Sequence, residues 1–305
     1  MTKIPVTEAP PLIFDRQLRR LRQTRLRDAA EKHVFLLERV AEEMAARLQL
    51  IKRDFKDVLV IGARSKKTQQ ILEAACGQAN VHFADLAPGP EGGRQDFVGD
   101  EEFLPVGREK LDLVISLLDL HAVNDLPGAL VLIRQSLRPD GLFLGALFGG
   151  ITLHELRESL TLAEAECLNG AGAHVFPFAD VRDMGSLLQR AGFALPVTDS
   201  EHLNVTYSDI LSLMKDVRGM GESNILSKRP RRALHKNILA RAAEIYGARF
   251  GLENGRIPAN FEIIHMSGWA PSPNQPKALR PGSAKARLAN ALKTSEQKLP
   301  DKARP

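Results

Sequence analysis

Cysteine is nearly missing from this chain: 305 residues contain two, Cys76 and Cys167. Two thiols without a C-x-x-C pair exclude a disulfide-stapled scaffold and a cysteine-rich zinc module, and they read as small apolar side chains. Aromatic residues make up 5% of the chain, with two tyrosines and one tryptophan. That scarcity weighs against a nucleic-acid modifier, which would stack bases on aromatic rings. Long apolar runs are missing too. The longest candidate, residues 141–150, is broken by glycine and falls short of the roughly 18 residues of a membrane span. What is present is globular: 44% hydrophobic and 26% charged residues, on a length that buries a substantial core.

The formal net charge of +5 is unevenly placed. Residues 1–27 carry +5, residues 271–305 carry +6, and the stretch between them carries −6. A groove-binding domain would hold its positive charge on the folded surface, so an acidic body with basic ends argues again against nucleic acid as a partner. Residues 271–305, with Pro271, Pro273, Pro276, Pro281 and Pro300 among Lys, Arg, Ser and Ala, read as a disordered basic tail. It is either simply solvated or a contact for an anionic membrane or acidic partner, at about 1 kcal/mol per basic residue near the surface. Residues 14–27 (FDRQLRRLRQTRLR) place Leu18, Leu21 and Leu26 near one helical stripe with six arginines around them. This predicts a basic helix docking its leucines on the body. A targeting peptide is the rival reading, opposed by Pro5, Glu8, Pro10 and Pro11.

The body alternates strand and helix signals. Helical spacing over 28–50 (Val34, Leu37, Val40, Ala41, Met44, Leu48) precedes an apolar, β-branched run at 57–62 that ends in Gly62. A helix over 68–76 leads to a strand at 81–85, a third strand at 95–99 and a clear fourth at 111–118. A helix over 126–137 carries Pro127 in its first turn. A Pro139-Asp140-Gly141 turn and a strand at 142–148 follow. Beyond Gly150 come helices at 153–167, 181–191, 209–217 and 231–249 and strands at 202–207 and 261–269. The alternation predicts an α/β fold with a doubly wound, mostly parallel sheet.

Ligands in such sheets bind at the carboxyl ends of the strands. Those ends hold Gly62-Ala63-Arg64-Ser65, Asp85, Asp100-Glu101 and Asp119-Leu120-His121. Glycine lets backbone approach a ligand closely. An acid after the second strand can accept both hydroxyls of a ribose, and one after the third can accept from an adenine amino group. Asp119 and His121 are candidate bases. The pairs His82/Asp85 and Asp119/His121 do not form a 2-His-1-carboxylate iron pattern, and no metal is expected.

The chain resembles the class I S-adenosylmethionine-dependent methyltransferases, and more narrowly the respiratory complex I assembly factors of that fold, with their bacterial relatives. The resemblance rests on Phe14-Asp15-Arg16, residues 100–105 (DEEFLP), His121 with Asn124-Asp125-Leu126-Pro127, 137–141 (LRPDG), 145–157 (GALFGGITLHELR) and 219–224 (GMGESN). It runs from about Phe14 to Trp269 and implies a seven-stranded, Rossmann-like sheet with helical insertions. Three segments follow: a basic N-terminal helical segment (1–50), a methyltransferase-like domain (51–270) and the basic tail (271–305). The resemblance implies S-adenosylmethionine as cofactor, with Gly62 under its methionine, Asp85 on the ribose, Asp100 and Glu101 near adenine, His121 facing the reacting centre and the FDR segment closing over it. It implies a protein client, such as a complex I subunit, with hydroxylation of a protein arginine attributed to the subgroup. The setting would be the mitochondrial matrix side in a eukaryote or the cytoplasm in a bacterium. Peripheral membrane contact would run through the basic termini.

One departure stands out. The family's first motif, D-x-G-x-G-x-G, aligns with Val60, Gly62, Arg64 and Lys66. An apolar residue replaces the acid that orients the cofactor's ammonium, and two cations stand where glycines belong, beside a sulfonium that like charge repels. Two readings stay open: a cofactor-using enzyme, and a non-catalytic assembly factor or chaperone whose Arg64, Lys66 and Lys67 form a basic patch at the old cofactor mouth.

Overall fold

The structure, a computed structural model, describes residues 12–27, 32–90, 92–168, 170–275 and 288–295. By internal contacts the chain divides into two units, Met1–Pro271 and Ser272–Pro305. In the second unit the described residues include one short helix, Leu288–Ala291. The rest of the expected disordered tail, 276–287 and 296–305, lies outside the described residues, as do Pro5, Glu8, Pro10 and Pro11.

Seven strands form one sheet: β1 (Asp57–Ile61), β2 (Asn80–Asp85), β3 (Phe97–Val98), β4 (Leu111–Leu117), β5 (Leu137–Phe148), β6 (Ala194–Tyr207) and β7 (Ile257–Trp269). Their order is β3-β2-β1-β4-β5-β7-β6. The first five pair in parallel, and β7 runs antiparallel to both β5 and β6. The doubly wound, mostly parallel seven-stranded α/β fold expected from the sequence is therefore the fold observed. β1 and β4 are mostly apolar, with Asp57, Asp112 and Ser116 the exceptions, because both of their faces are covered.

One face of the sheet packs on α2 (Phe35–Gln49), α3 (Lys66–Cys76), α5 (His154–Leu168), α7 (Ile210–Gly219) and α8 (Lys236–Phe250), around Val40, Met44, Leu72, Leu160, Leu213 and Tyr246. The other packs on α4 (Leu126–Ser136) and α6 (Val181–Arg190), around Leu130, Ile133, Met184, Leu188 and Phe193. Side chains start several helices at the carboxyl edge. Ser65 caps α3 by accepting from the Thr68 backbone N–H at 3.1 Å. Asp125 caps α4 by accepting from Gly128 at 2.8 Å. No helix among the described residues is long and apolar enough to cross a membrane.

Several local expectations differ from what forms. β6 begins at Ala194, not near 202, and β7 at Ile257, not 261. Pro139, Asp140 and Gly141 lie inside β5, where the pairing with β4 shifts register and Asp140 takes a φ of 62°. Cys76 is half-buried, but Cys167 is exposed and not a core residue. The sharpest correction concerns α1 (Arg16–Leu26): its buried residues are Arg19 and Gln23, while Leu21 is 46% exposed. Leu18 does pack half-buried beside Phe14, Phe176 and Ile225, but the most deeply buried contacts of the helix are those of Arg19, because the surface it meets is acidic.

Candidate functional site

The carboxyl edge of the sheet gathers the acids singled out in the sequence. Asp85 ends β2. Asp100 starts a 3-10 turn, Glu101–Phe103, by accepting from Glu102 N–H at 3.0 Å. Asp119 precedes a second turn, Leu120–Ala122, that holds His121. Glu222 arrives from the segment after α7 and is hydrogen-bonded to His121 Nε2 at 2.9 Å. Asp85, Glu101, Asp119 and His121 are all buried.

Three arginines of the chain occupy the space between these acids. Arg64 donates from Nη2 to Asp119 Oδ1 (2.9 Å) and to the Leu118 carbonyl (3.1 Å). Its Nε lies 3.4 Å from Asp85 Oδ2 and its Nη1 3.5 Å from Glu222 Oε1. Arg19, fully buried, donates to Asp119 at 2.6 Å and sits 3.4 Å from Glu222. Arg16 donates to Asp100 (2.7 Å), Glu101 and the Ala122 carbonyl (3.3 Å). The FDR segment does close over the site. Phe14 N–H donates to Asn124 at 2.7 Å, Asp15 N–H donates to the Ile225 carbonyl at 2.8 Å, and Asp15 caps α1.

The balance of five carboxyls against three guanidiniums decides protonation. Burial pushes Asp85 up to about 6, with Asp119 adding repulsion that Arg64 and Arg19 only partly offset. Burial also pushes Glu101 well above the usual range, aided by Asp119 and opposed by Arg16. Burial pulls Asp119 the same way, but Arg64 and Arg19 outweigh it and hold its carboxyl well below normal. Glu222 likewise is brought down to about 2, burial being outweighed by Arg19 and His121. Burial lowers His121 more than Glu222 raises it, so the ring is neutral at pH 7. With Nε2–H donating to Glu222, its Nδ1 is the unprotonated atom, and it is buried without a hydrogen-bond partner among the described residues. His121 is thus fitted to take a proton, whereas Asp119 is fitted to hold cations.

Gly62 sits at the turn out of β1 with a φ of 85°, and a Cβ there would collide with the Leu117 carbonyl oxygen. Its backbone geometry demands glycine whether or not a ligand binds. Lys66 does not share Arg64's position: it is exposed and lies beside Gly92. Lys67 is exposed and paired with Glu38 at 2.6 Å. The expected basic patch is therefore divided, with one cation inside the cleft and two outside. His82 turns toward Asn80 and Asp96, not Asp85. Among the described residues no group of three or more His, Cys, Asp or Glu could hold a metal ion.

The space left beside Asp85 and Arg64 is a cavity of about 30 Å³, enough for a water or two. Arg64 lies across the ground between Asp85 and Asp119 that a nucleoside cofactor would need. A larger cavity, about 190 Å³, opens on the other side of Glu222. Its walls include Phe148, Phe176, Phe178, Leu156 and Leu160, with Glu222 at one end. The rings of Phe148 and Phe178 stand 4.9 and 5.8 Å from the His121 ring, and that of Phe176 stands 6.3 Å from it. Arg19, Glu222 and the phenylalanine wall were not assigned to the site from sequence. The signal for Glu222 was the GMGESN segment. For Arg19 it was the three-residue spacing from Arg16, which puts both on one helix face.

Comparison with known proteins gives a consistent family. Residues 31–196 match the family described as methyltransferase domain. The arginine-hydroxylase NDUFAF5, mitochondrial, of Danio rerio is 37% identical over 92% of this chain and 90% of its own length. A malonyl-[acyl-carrier protein] O-methyltransferase of Halorhodospira halophila is 34% identical over 79% and 84%. Among solved structures, phosphoethanolamine N-methyltransferase 2 of Haemonchus contortus, in complex with S-adenosyl-L-methionine, covers 75% of this chain and 53% of its own, at 12% identity and a TM-score of 0.45.

Proposed function

The chain belongs to the methyltransferase domain family, within the group of the arginine-hydroxylase NDUFAF5 proteins, and from that premise we propose that it serves in respiratory complex I assembly by engaging an arginine side chain of a protein client. The observation that carries this reading is the cavity bounded by Phe148, Phe176, Phe178 and ionised Glu222. Apolar walls suit the aliphatic stem of arginine, ring faces attract its cation, and ionised Glu222, though already shared by His121, Arg19 and Arg64, adds negative charge for the guanidinium. A cavity of ~150 Å³ accepts benzene, so about 190 Å³ has room for one long side chain. His121 does not line this cavity but stands behind its wall, in ring contact with Phe148, Phe176 and Phe178 and hydrogen-bonded to Glu222.

The site of action would be the mitochondrial matrix side in a eukaryote and the cytoplasm in a bacterium. Contact with an anionic membrane, if the client complex lies there, falls to the C-terminal basic residues, since Arg16 and Arg19 of α1 are committed to the cleft.

Calorimetry with N-acetyl-arginine amide and its citrulline counterpart tests the reading. The arginine compound should bind at least tenfold more tightly. Glu222→Gln should erase the preference, and Phe178→Ala should weaken binding with the ionic network intact. Equal binding of the two compounds by the wild type sinks the proposal. In a deletion strain, assembled complex I on native gels should return with the wild-type protein and not with Glu222→Gln.

A further inference from the structure

The family fold implies a cationic cofactor, yet this chain places a cation of its own across the same ground. Arg64 stands at a position of the first motif where relatives of the fold keep glycine. Its guanidinium reaches from Asp85, the ribose-accepting position, to Asp119 after β4. Its side chain is 15% exposed, and the cavity left beside it is about 30 Å³. Val60, at the position of the family's ammonium-orienting acid, is fully buried in the core and offers no charge to a ligand. Gly62 is retained for backbone reasons alone, so its presence says nothing in favour of a ligand. Lys66 points elsewhere, which leaves Arg64 as the motif residue responsible. Arg19 reinforces it from α1 through the same Asp119.

We propose that Arg64 is an intramolecular replacement for the cofactor: its guanidinium takes the place of the sulfonium-bearing methionine and ribose, offsets part of the charge of Asp85 and Asp119, and lets the chain fold without S-adenosylmethionine, which it does not bind. The acids of the family site are kept because Arg64 and Arg19 need them. The proposal shares Glu222 with the client-arginine reading, since Arg64 Nη1 lies 3.5 Å from its Oε1, but the test with S-adenosylmethionine is separate from the test with arginine compounds.

Calorimetry and thermal shift with S-adenosylmethionine and with S-adenosylhomocysteine, on the full chain, test it. Wild type should show neither heat nor a melting shift at millimolar ligand. Arg64→Gly should gain at least tenfold in affinity for S-adenosylmethionine, and Val60→Asp/Arg64→Gly/Lys66→Gly should gain more. Asp85→Ala in either background should abolish the gain. Low, non-denaturing guanidinium chloride should raise the melting temperature of Arg64→Gly and not of the wild type, by refilling the vacated position. Micromolar binding by the wild type overturns the proposal. So does a folded Arg64→Gly that responds to neither ligand nor guanidinium. If Arg64→Gly does not fold, the wild-type titration and the guanidinium response of Arg64→Met decide in the same way.

Discussion

Nη2 of Arg19 lies 2.6 Å from Oδ1 of Asp119, and both side chains are fully buried. The two residues are a hundred positions apart, one on a helix before the sheet and one at the end of its central strand. Each would be costly to bury alone. Arg64 reaches the same Oδ1 atom from the turn after β1, at 2.9 Å.

Removal of one partner from such a pair leaves an uncompensated buried charge. Arg19→Ala should lower unfolding stability by about 3–5 kcal/mol. Urea denaturation of wild type and variant measures this. A loss below about 1 kcal/mol would mean that Arg64 alone satisfies Asp119 and that α1 is only a cover.

Asp85 gives the protein an unusual pH response. Its folded pKa lies near 6, against 3.8 for the free side chain. A carboxyl raised on folding binds its proton more tightly in the native state, so stability falls as pH rises between about 4 and 6 and levels off above. Asp85→Asn removes that titration while keeping the shape. The wild type should lose roughly 1–3 kcal/mol relative to the variant across the window, at 1.36 kcal/mol per unit. Glu222 works in the opposite sense: lowered to about 2, it contributes stability that is present above its ordinary value and disappears as pH falls toward 2. Melting curves of both proteins from pH 4 to 7 isolate the Asp85 effect, because Glu101 and Glu222 are common to both.

The central strands were readable because β1 and β4, covered on both faces, hold the apolar runs 58–61 and 113–115. β6 was half missed because it is an edge strand in which exposed and half-buried residues alternate, so most of it reads as polar chain. The acids of the site could be placed from their positions at strand ends, a matter of local order along the chain. Their partners could not. An arginine-rich helix face ordinarily meets water, and the stripe of Leu18, Leu21 and Leu26 is the natural choice for the buried side. Only the acid cluster assembled from residues 85 to 222 inverts that choice.

Gly62 tests whether the turn after β1 is a structural requirement or a remnant. Alanine there must adopt the left-handed φ of 85° and would press its methyl on the Leu117 carbonyl oxygen. Gly62→Ala should destabilise by about 1–3 kcal/mol, seen as a lower denaturation midpoint with an unchanged slope. A neutral substitution would show that the turn relaxes freely, and the space for Arg64 with it.

The attachment of α1 gives the last test. Its exposed Leu21 contributes little burial and Leu18 packs half-buried beside Phe176 and Ile225, while its polar hold on the body runs through Arg16 to Asp100, Glu101 and the Ala122 carbonyl, Arg19 to Asp119, and Arg22 to the Asn224 carbonyl at 2.7 Å. A helix of this length is marginal in water without tertiary contacts. Arg16→Gln/Arg19→Gln should therefore release it, with amide hydrogen exchange rising over residues 14–26 and at 224–226, where Asp15 bonds Ile225, while β1, β4 and β5 keep their protection. Uniform loss of protection through the sheet would instead make α1 part of the cooperative core. Unchanged protection in α1 would mean that the contacts of Phe14 with Asn124 and Phe176 hold it without the arginines.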